Sequence, residues 1–288
     1  MFTTLKRVAL ASAALAFAAH ASATSLSLDV YNPGEAAIFP VTSVLVSGAK
    51  DAILVDAQFG KSQAEQLVQK IRASGKHLTT IYISHGDPDY YFGLNTLTAA
   101  FPDAKVLAPK PVVDHIKATV AGKLAFWGPK MGADKPAKTI IPQVLDGHSL
   151  SLEGQPLDII GLDGPQPDRS FVWIPSIKAV VGGVVVAQNI HVWMADTQSA
   201  KSHTDWLATL QRIDALKPVT VIPGHYLGTP SVQSVAFTTG YIKAFDEETA
   251  KAKDAAGLIA AMKQRYPNLA DESSLELSAK VAKGEMKW

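Results

Sequence analysis

The sequence predicts an α/β fold, and three observations carry that prediction. Two apolar, β-prone runs, an amphipathic helix and a third apolar run follow one another over residues 36–84. A cluster of ionisable residues closes the third run, at the strand end where α/β proteins usually place their chemistry. Past the middle of the chain, short apolar runs alternate with Gly, Pro and Asp turns before a helical tail. With 288 residues, 47% hydrophobic and 18% charged, the chain can bury a sizeable core.

Residues 36–48 and 52–60 read as strands separated by Gly48-Ala49-Lys50-Asp51, with Asp56 as a polar stop in the second. Residues 61–74 follow a helical period that puts Ala64, Leu67, Val68 and Ile71 on one face, and Gly75 ends the helix. A strand over 78–84, a short helix over 94–101 and a strand over 104–108 come next. A helix over 111–127 turns Val112, Val113, Ile116, Val120 and Leu124 inward. Trp127-Gly128-Pro129 breaks it, and 128–138 reads as an exposed loop. Strands are expected over 139–144, 149–152, 157–160, 170–174 and 179–186, an amphipathic helix over 203–216 with Ser202 as N-cap, and a buried strand over 219–222. Residues 231–283 are mostly helical.

The first residues stand apart. Lys6-Arg7, the apolar run Val8–Ala18 and the small-x-small triplets Ala19-His20-Ala21 and Ala21-Ser22-Ala23 have the form of a secretory signal peptide cleaved after Ala23. The expected location is the periplasm or the outside, with residues 24–288 as one domain and no membrane association after cleavage. Removing Lys6 and Arg7 leaves 25 basic against 26 acidic residues (27 − 2 against 26), a net charge of −1. That balance offers no polybasic surface for nucleic acid or anionic lipid, so the expected partner is a small-molecule substrate. There is no cysteine, which excludes disulfides, thiolate chemistry and Cys-rich zinc sites.

The central stretch is Ser84-His85-Gly86-Asp87-Pro88-Asp89-Tyr90-Tyr91-Phe92-Gly93. His85, Asp87 and Asp89 alternate, so an extended loop aims all three one way. An imidazole and two carboxylates converging at a strand end suit a metal site or an acid/base site; a polar turn closing a strand uses the same residues. No Gly-x-Ser-x-Gly elbow is present, and Ser84 is adjacent to His85 on a strand, which points the two side chains apart.

Four segments together resemble the metallo-β-lactamase-fold hydrolase superfamily over about residues 36–226. VTSVLVSGAKDAILVDAQFG is similar to its opening hairpin and TIYISHGDPDYYFG to its His-x-His-x-Asp-His signature. RSFVWIPSIKAVVGG resembles the strand pair ahead of its bridging aspartate, and VTVIPGHY its closing Pro-Gly-His turn. The resemblance implies a four-layer αβ/βα sandwich with the site at one edge of two sheets, and one or two metal ions held by histidines and aspartates. Carried over residue by residue, it makes His85, Asp87, Asp89, Asp163 and His225 the metal-ligand candidates. Departures are plain: Asp87 and Tyr90 replace signature histidines, Asp163 stands nearest a missing one, and Gly183 holds the bridging aspartate's place. The carboxylate-rich set implies one zinc, manganese or iron ion, or none.

Asp89, His225 and Tyr90 are the catalytic candidates, the first two as base and proton shuttle and the tyrosine as an oxyanion donor or a packing residue. His191 and Trp193 are pocket candidates, with Asp196 orienting His191 or capping the next segment. His203 and His148 read as structural or exposed, and His77 and His115 show no partner pattern. The leading expectation is an exported hydrolase that activates water on a metal for an ester, lactone, lactam or thioester. Two rivals are a non-catalytic ligand-binding protein on the same fold and a metal-independent acid/base hydrolase using Asp87, Asp89 and His225.

Overall fold

The structure, a computed structural model, describes residues 25–288; the leader and its cleavage position lie outside the described residues. Strands β1 (Ser27–Tyr31), β2 (Ser43–Ser47), β3 (Asp51–Val55), β4 (His77–Tyr82), β5 (Lys105–Ala108) and β6 (Gln143–Val144) form one sheet in that order. β1 to β3 run antiparallel, and β3 to β6 pair in parallel through crossover helices, as the strand-helix alternation requires. β7 (Ser149–Leu152), β8 (Gln155–Ile160), β9 (Phe171–Ile174), β10 (Ala179–Val181) and β12 (Thr220–Val221) form the second sheet. β11 (Ala187–Gln188) and β13 (His225–Tyr226) make a short parallel pair.

Alternation along the central strands builds the layers. Val44, Val46, Ile53, Val55 and Tyr82 face Leu157, Ile159, Val172, Ile174 and Val181 of the second sheet in one core between the sheets. Their neighbours Leu45, Leu54, Ile81 and Ile83 point the other way, against helices α1 (Lys61–Ala73), α2 (Pro88–Tyr91), α3 (Leu94–Ala100) and α4 (Lys110–Met131). Phe171, Val180 and Val221 turn outward from the second sheet against α5 (Ala200–Ala215), α6 (Ser234–Lys251), α7 (Ala255–Arg265) and α8 (Glu272–Ala282). A period of two along each strand thus gives helix, sheet, sheet, helix: the four-layer sandwich. No helix among the described residues is long and apolar enough to cross a membrane.

Several boundaries differ from the sequence prediction. The strand expected from residue 36 begins at Ser43, while β1, which was not foreseen, adds the sheet's outer strand. Helix α4 runs through Gly128-Pro129 to Met131. Trp127 packs edge-on against Phe39 and Phe59, 5.0 and 5.8 Å between ring centres, so tertiary packing overrides the local breakers. The segment after α4 is not a free loop either, because Asp134 accepts hydrogen bonds from the backbone N–H and hydroxyl of Ser62 at the start of α1. The strand expected over 139–144 shrinks to β6. The strand expected over 179–186 stops at Val181, because Gly182 and Gly183 take positive φ. Ser199, not Ser202, caps α5, with Ser202 completing a capping box.

Ile81 is fully buried on a central strand. Ile81→Ala is expected to lower unfolding stability by about 2–5 kcal/mol, read as a shifted urea midpoint with an unchanged m-value.

Candidate active site

The site begins with a carboxylate that sequence reading treated as a strand stop. Asp56 follows β3, fully buried and in the left-handed region at φ 66°. Its oxygens accept from the N–H of Ser84 (2.8 Å) and the hydroxyl of Ser84 (2.6 Å). The Ser84 hydroxyl in turn accepts from the N–H of Gly183, 2.7 Å away on the loop after β10. One carboxylate therefore joins the first sheet, the signature turn and the second sheet. Past the end of β4, Ser84 turns to Asp56 and Gly183 while His85 turns to Asp87 and the Asp168 carbonyl.

The signature side chains form two separate pairs. His85 is buried, with Nδ1 3.1 Å from the Asp168 carbonyl oxygen and Nε2 3.2 Å from Asp87 Oδ2. Both partners are acceptors, so each ring nitrogen faces one. Burial pulls its pKa down, but the hydrogen bond and charge of Asp87 outweigh burial and raise it. Asp87 also meets Lys123 Nζ at 3.2 Å, and His115 Nε2 stands 3.8 Å away. Against its own burial, these neighbours hold the Asp87 carboxyl well below the usual carboxylate range. The second pair is Asp89 and His225, with Oδ2 accepting from Nε2 at 2.7 Å. His225 Nδ1 meets the Tyr90 hydroxyl at 3.2 Å. Tyr90 is fully buried, and burial followed by the charge of Asp89 keeps its phenol protonated far above the ordinary range. Its hydroxyl faces His225 Nδ1, an arrangement that suits holding that ring in place.

A pocket open to solvent lies beside these pairs. Asp87, Asp89, Lys123 and His225 line its polar side, and Phe39, Trp127, Trp193, Trp206 and Trp288 its aromatic side. His191 lines it too, buried, with Nδ1 3.0 Å from the Tyr241 hydroxyl. Asp196 does not orient His191. It accepts from the indole N–H groups of Trp193 and Trp288, each at 2.6 Å. His203 is buried at the start of α5 against Asp246, away from this lining.

The ligand set inferred for a metal does not assemble. Asp163 lies on an exposed turn with its side chain 77% exposed and paired to Arg212 at 2.9 Å, so its use as a third ligand beside His85 and Asp87 is corrected. Gly183 has φ 79°, and a Cβ there would stand 2.2 Å from the Ser170 carbonyl oxygen, so the bridging position has no room for an aspartate. Both ring nitrogens of His85 already face acceptors, and Asp87 is bound to Lys123 and His85. Among the described residues no three His, Asp or Glu side chains are grouped to hold an ion. The donors present do not fit a family-type metal centre.

Two residues that line the cavity, Lys123 and Trp288, escaped sequence reading. Lys123 alone carried a usable signal. It shares the helical stripe of Ile116, Val120 and Trp127, and a charge on a buried stripe calls for a partner.

Two outcomes follow from this geometry. Burial pushes the Asp56 carboxyl up to about 7 from an ordinary 3.8, against the lowering effect of the Ser84 hydrogen bonds. Between those values the folded chain keeps a proton that the unfolded chain has lost. Asp56 therefore makes stability fall as pH rises through this window, by up to about 1.4 kcal/mol per unit. Asp56→Asn is expected to flatten that slope in urea unfolding across the same range; an unchanged slope would assign it elsewhere. Gly183→Asp is expected to lower Tm by several degrees with or without added zinc, corresponding to about 1–3 kcal/mol of backbone strain. A Tm raised by zinc in that variant would show that the bridging position is usable after all.

Comparison with known proteins agrees with this architecture. Residues 37–225 match the family model of the metallo-beta-lactamase superfamily. Among solved structures, a metallo-beta-lactamase family protein from Thermus thermophilus superposes with a TM-score of 0.63 at 16% identity, covering 90% of this chain and 91% of that one. A metallo-beta-lactamase from Pontibacter korlensis gives 0.54 at 18% identity, covering 76% and 95%. At these identities the likeness is one of fold. The uncharacterized protein YobT of Bacillus subtilis (strain 168) is 35% identical over 71 residues, so the match spans 30% of that relative's length and 25% of this chain. Members of the family typically bind divalent metals, and membership suggests a hydrolase-like function. The family match covers well over half of the chain, which belongs to the metallo-beta-lactamase superfamily.

Proposed function

We propose that this chain is an exported, metal-independent hydrolase of a small ester-like molecule, with Asp89 and His225 as its acid/base pair. The carrying observation is that His85 and Asp87 are committed to partners inside the site, while the Asp89–His225 pair lines an aromatic-walled pocket. In this reading water stands between the pair and the scissile carbonyl. Asp89 takes the water proton on the carboxylate oxygen that His225 does not hold and returns it to the leaving group, while His225, held by Tyr90, donates Nε2–H to Oδ2 and steadies the carboxylate. Lys123, on the same cavity wall, supplies positive charge toward the oxygen that becomes negative. Export rests on the leader-like residues 6–23 and predicts a mature chain that starts at Thr24.

A second reading has its own support. Every ring nitrogen of His85 and His225 already faces a partner, which suits ligand binding without turnover.

The test is a screen of p-nitrophenyl esters, lactones and thioesters, with elemental analysis of the same preparation. The expected result is well under one metal equivalent per chain, turnover that survives a chelator, and a loss of about 100-fold or more in kcat for His225→Ala. Turnover that needs a stoichiometric metal would restore the metal-dependent reading. Saturable binding without turnover would establish the second one.

A further inference from the structure

The walls of the pocket come from both halves of the sandwich. Trp127 of α4 packs on the core beneath the first helix layer, while Val192 and Trp206 belong to the core beneath the second. Trp288, the last residue of the sequence, lines the same pocket and touches both sides. On the α4 side its ring meets that of Phe126 edge-on, 5.7 Å between centres, and Lys123 Nζ lies 4.9 Å over it. On the other side, the loop between β11 and α5, it meets the Trp193 ring edge-on at 5.1 Å. Its indole N–H donates to Asp196 Oδ1 of that loop at 2.6 Å.

The chain after α8 delivers this side chain. The N–H groups of Glu285 and Met286 donate to the Lys280 carbonyl oxygen at 2.8 and 3.2 Å. Lys283 Nζ donates to the Ala252 carbonyl oxygen at 2.6 Å, and the Glu285 carboxylate accepts from the Ala255 N–H at 2.7 Å. Residues 283–286 are thereby tied to the ends of α6, α7 and α8, and Trp288 extends from that anchor. Asp196 also accepts the Trp193 indole N–H, so one carboxylate clips the two indoles together. Edge-on ring pairs and a cation over the ring face both favour an indole at this position. An indole fixed between opposite walls takes volume that a ligand would otherwise fill, and overlap with a packed side chain is penalised.

We propose that Trp288 is the specificity-determining residue of this pocket: a strap between its two walls that sets the upper size of the ligand. The pocket closed in this way favours a compact aromatic molecule over an extended one. Removing the indole joins its volume to the pocket and admits the larger molecule. The inference rests on the reading of this pocket as the ligand site, but it concerns binding and needs no turnover.

1-Naphthol and N-phenyl-1-naphthylamine test it, since both are uncharged, share a naphthalene ring and differ by a phenyl ring. The chain from residue 24 is titrated with each, the first read by quenching of tryptophan fluorescence and the second by its own emission. Trp288→Ala is expected to shift the ratio of the two affinities toward the larger molecule by at least about tenfold, while its circular dichroism melt shows a folded chain. If Trp288→Ala does not fold, Trp288→Leu takes its place with the same expectation. A merely structural role would lower both affinities together and leave their ratio where it was. A smaller shift, loss of both affinities in the variant, or no saturable binding of either molecule to either chain would overturn the proposal. Failure of both variants to fold would overturn it too, by making Trp288 a requirement of the fold. Ester hydrolysis with an unmoved size preference sinks this inference alone. A shifted size preference with no hydrolysis sinks the acid/base reading and leaves this one standing.

Discussion

The buried carboxylate of Asp56 is the constraint from which the site hangs. Removing an ionised carboxylate from water is expensive unless hydrogen bonds replace the lost solvent. Ser84 supplies two of them from backbone and hydroxyl, and that hydroxyl also collects the N–H of Gly183. The arrangement forces Asp56 to φ 66° and Gln58 to φ 69°, conformations that non-glycine residues adopt at some cost. Backbone bonds from Ala57 to Tyr90 and from Gly93 to Gln58 then clamp the signature turn to the same strand end. Strain and burial in one place hold His85, Asp87 and Asp89 where they are.

Around that anchor the charges satisfy one another. In a metal-bound relative, cations at the centre neutralise the carboxylates. Here the imidazole of His85 and the ammonium of Lys123 stand against Asp87, while the guanidinium of Arg169 feels the charges of Asp196, Asp168 and Asp87. Lys123 is further held over the Trp288 ring at 4.9 Å. The pH behaviour of these groups opposes that of Asp56. The depressed carboxyl of Asp87 contributes stability at neutral pH that is lost as pH falls toward its folded value, whereas Asp56 contributes most in acid.

Much of the fold was legible because periodicity is local. The alternation at Val44 to Val46 and at Ile53 to Val55, the stripe of α1 and the strand-end placement of the signature turn all follow from short-range pattern. The Pro-Gly-His turn also led directly to His225. What stayed hidden depends on tertiary contact. Gly128-Pro129 read as a break, yet aromatic packing on Trp127 carries α4 through it, and that helix delivers Lys123 to Asp87. Asp163 looked like a ligand by its place in the chain, but its turn faces solvent and Arg212. Trp288 reaches the cavity only because the chain after α8 folds back.

The placement of these changes explains how chemistry at the site can depart from the family pattern while the sandwich persists. The three apolar cores draw on the strand faces and on helices α1 to α8, and none needs His85, Asp87 or His225. Burial of large side chains such as Leu54, Ile81 and Phe171 is worth roughly 1.5–3 kcal/mol each, a sum that exceeds what a single ion pair contributes. The turn itself is fixed by backbone bonds and by Asp56, so replacing a ligating histidine with Asp87 leaves the backbone path intact. The requirement that remains is local charge balance. An aspartate at that position, without a metal, needs a cation within a few ångströms, and α4 is the neighbouring element long enough to bring one. Lys123 of α4 and Asp87, paired where the family pattern has a ligating histidine, are therefore two sides of one adjustment.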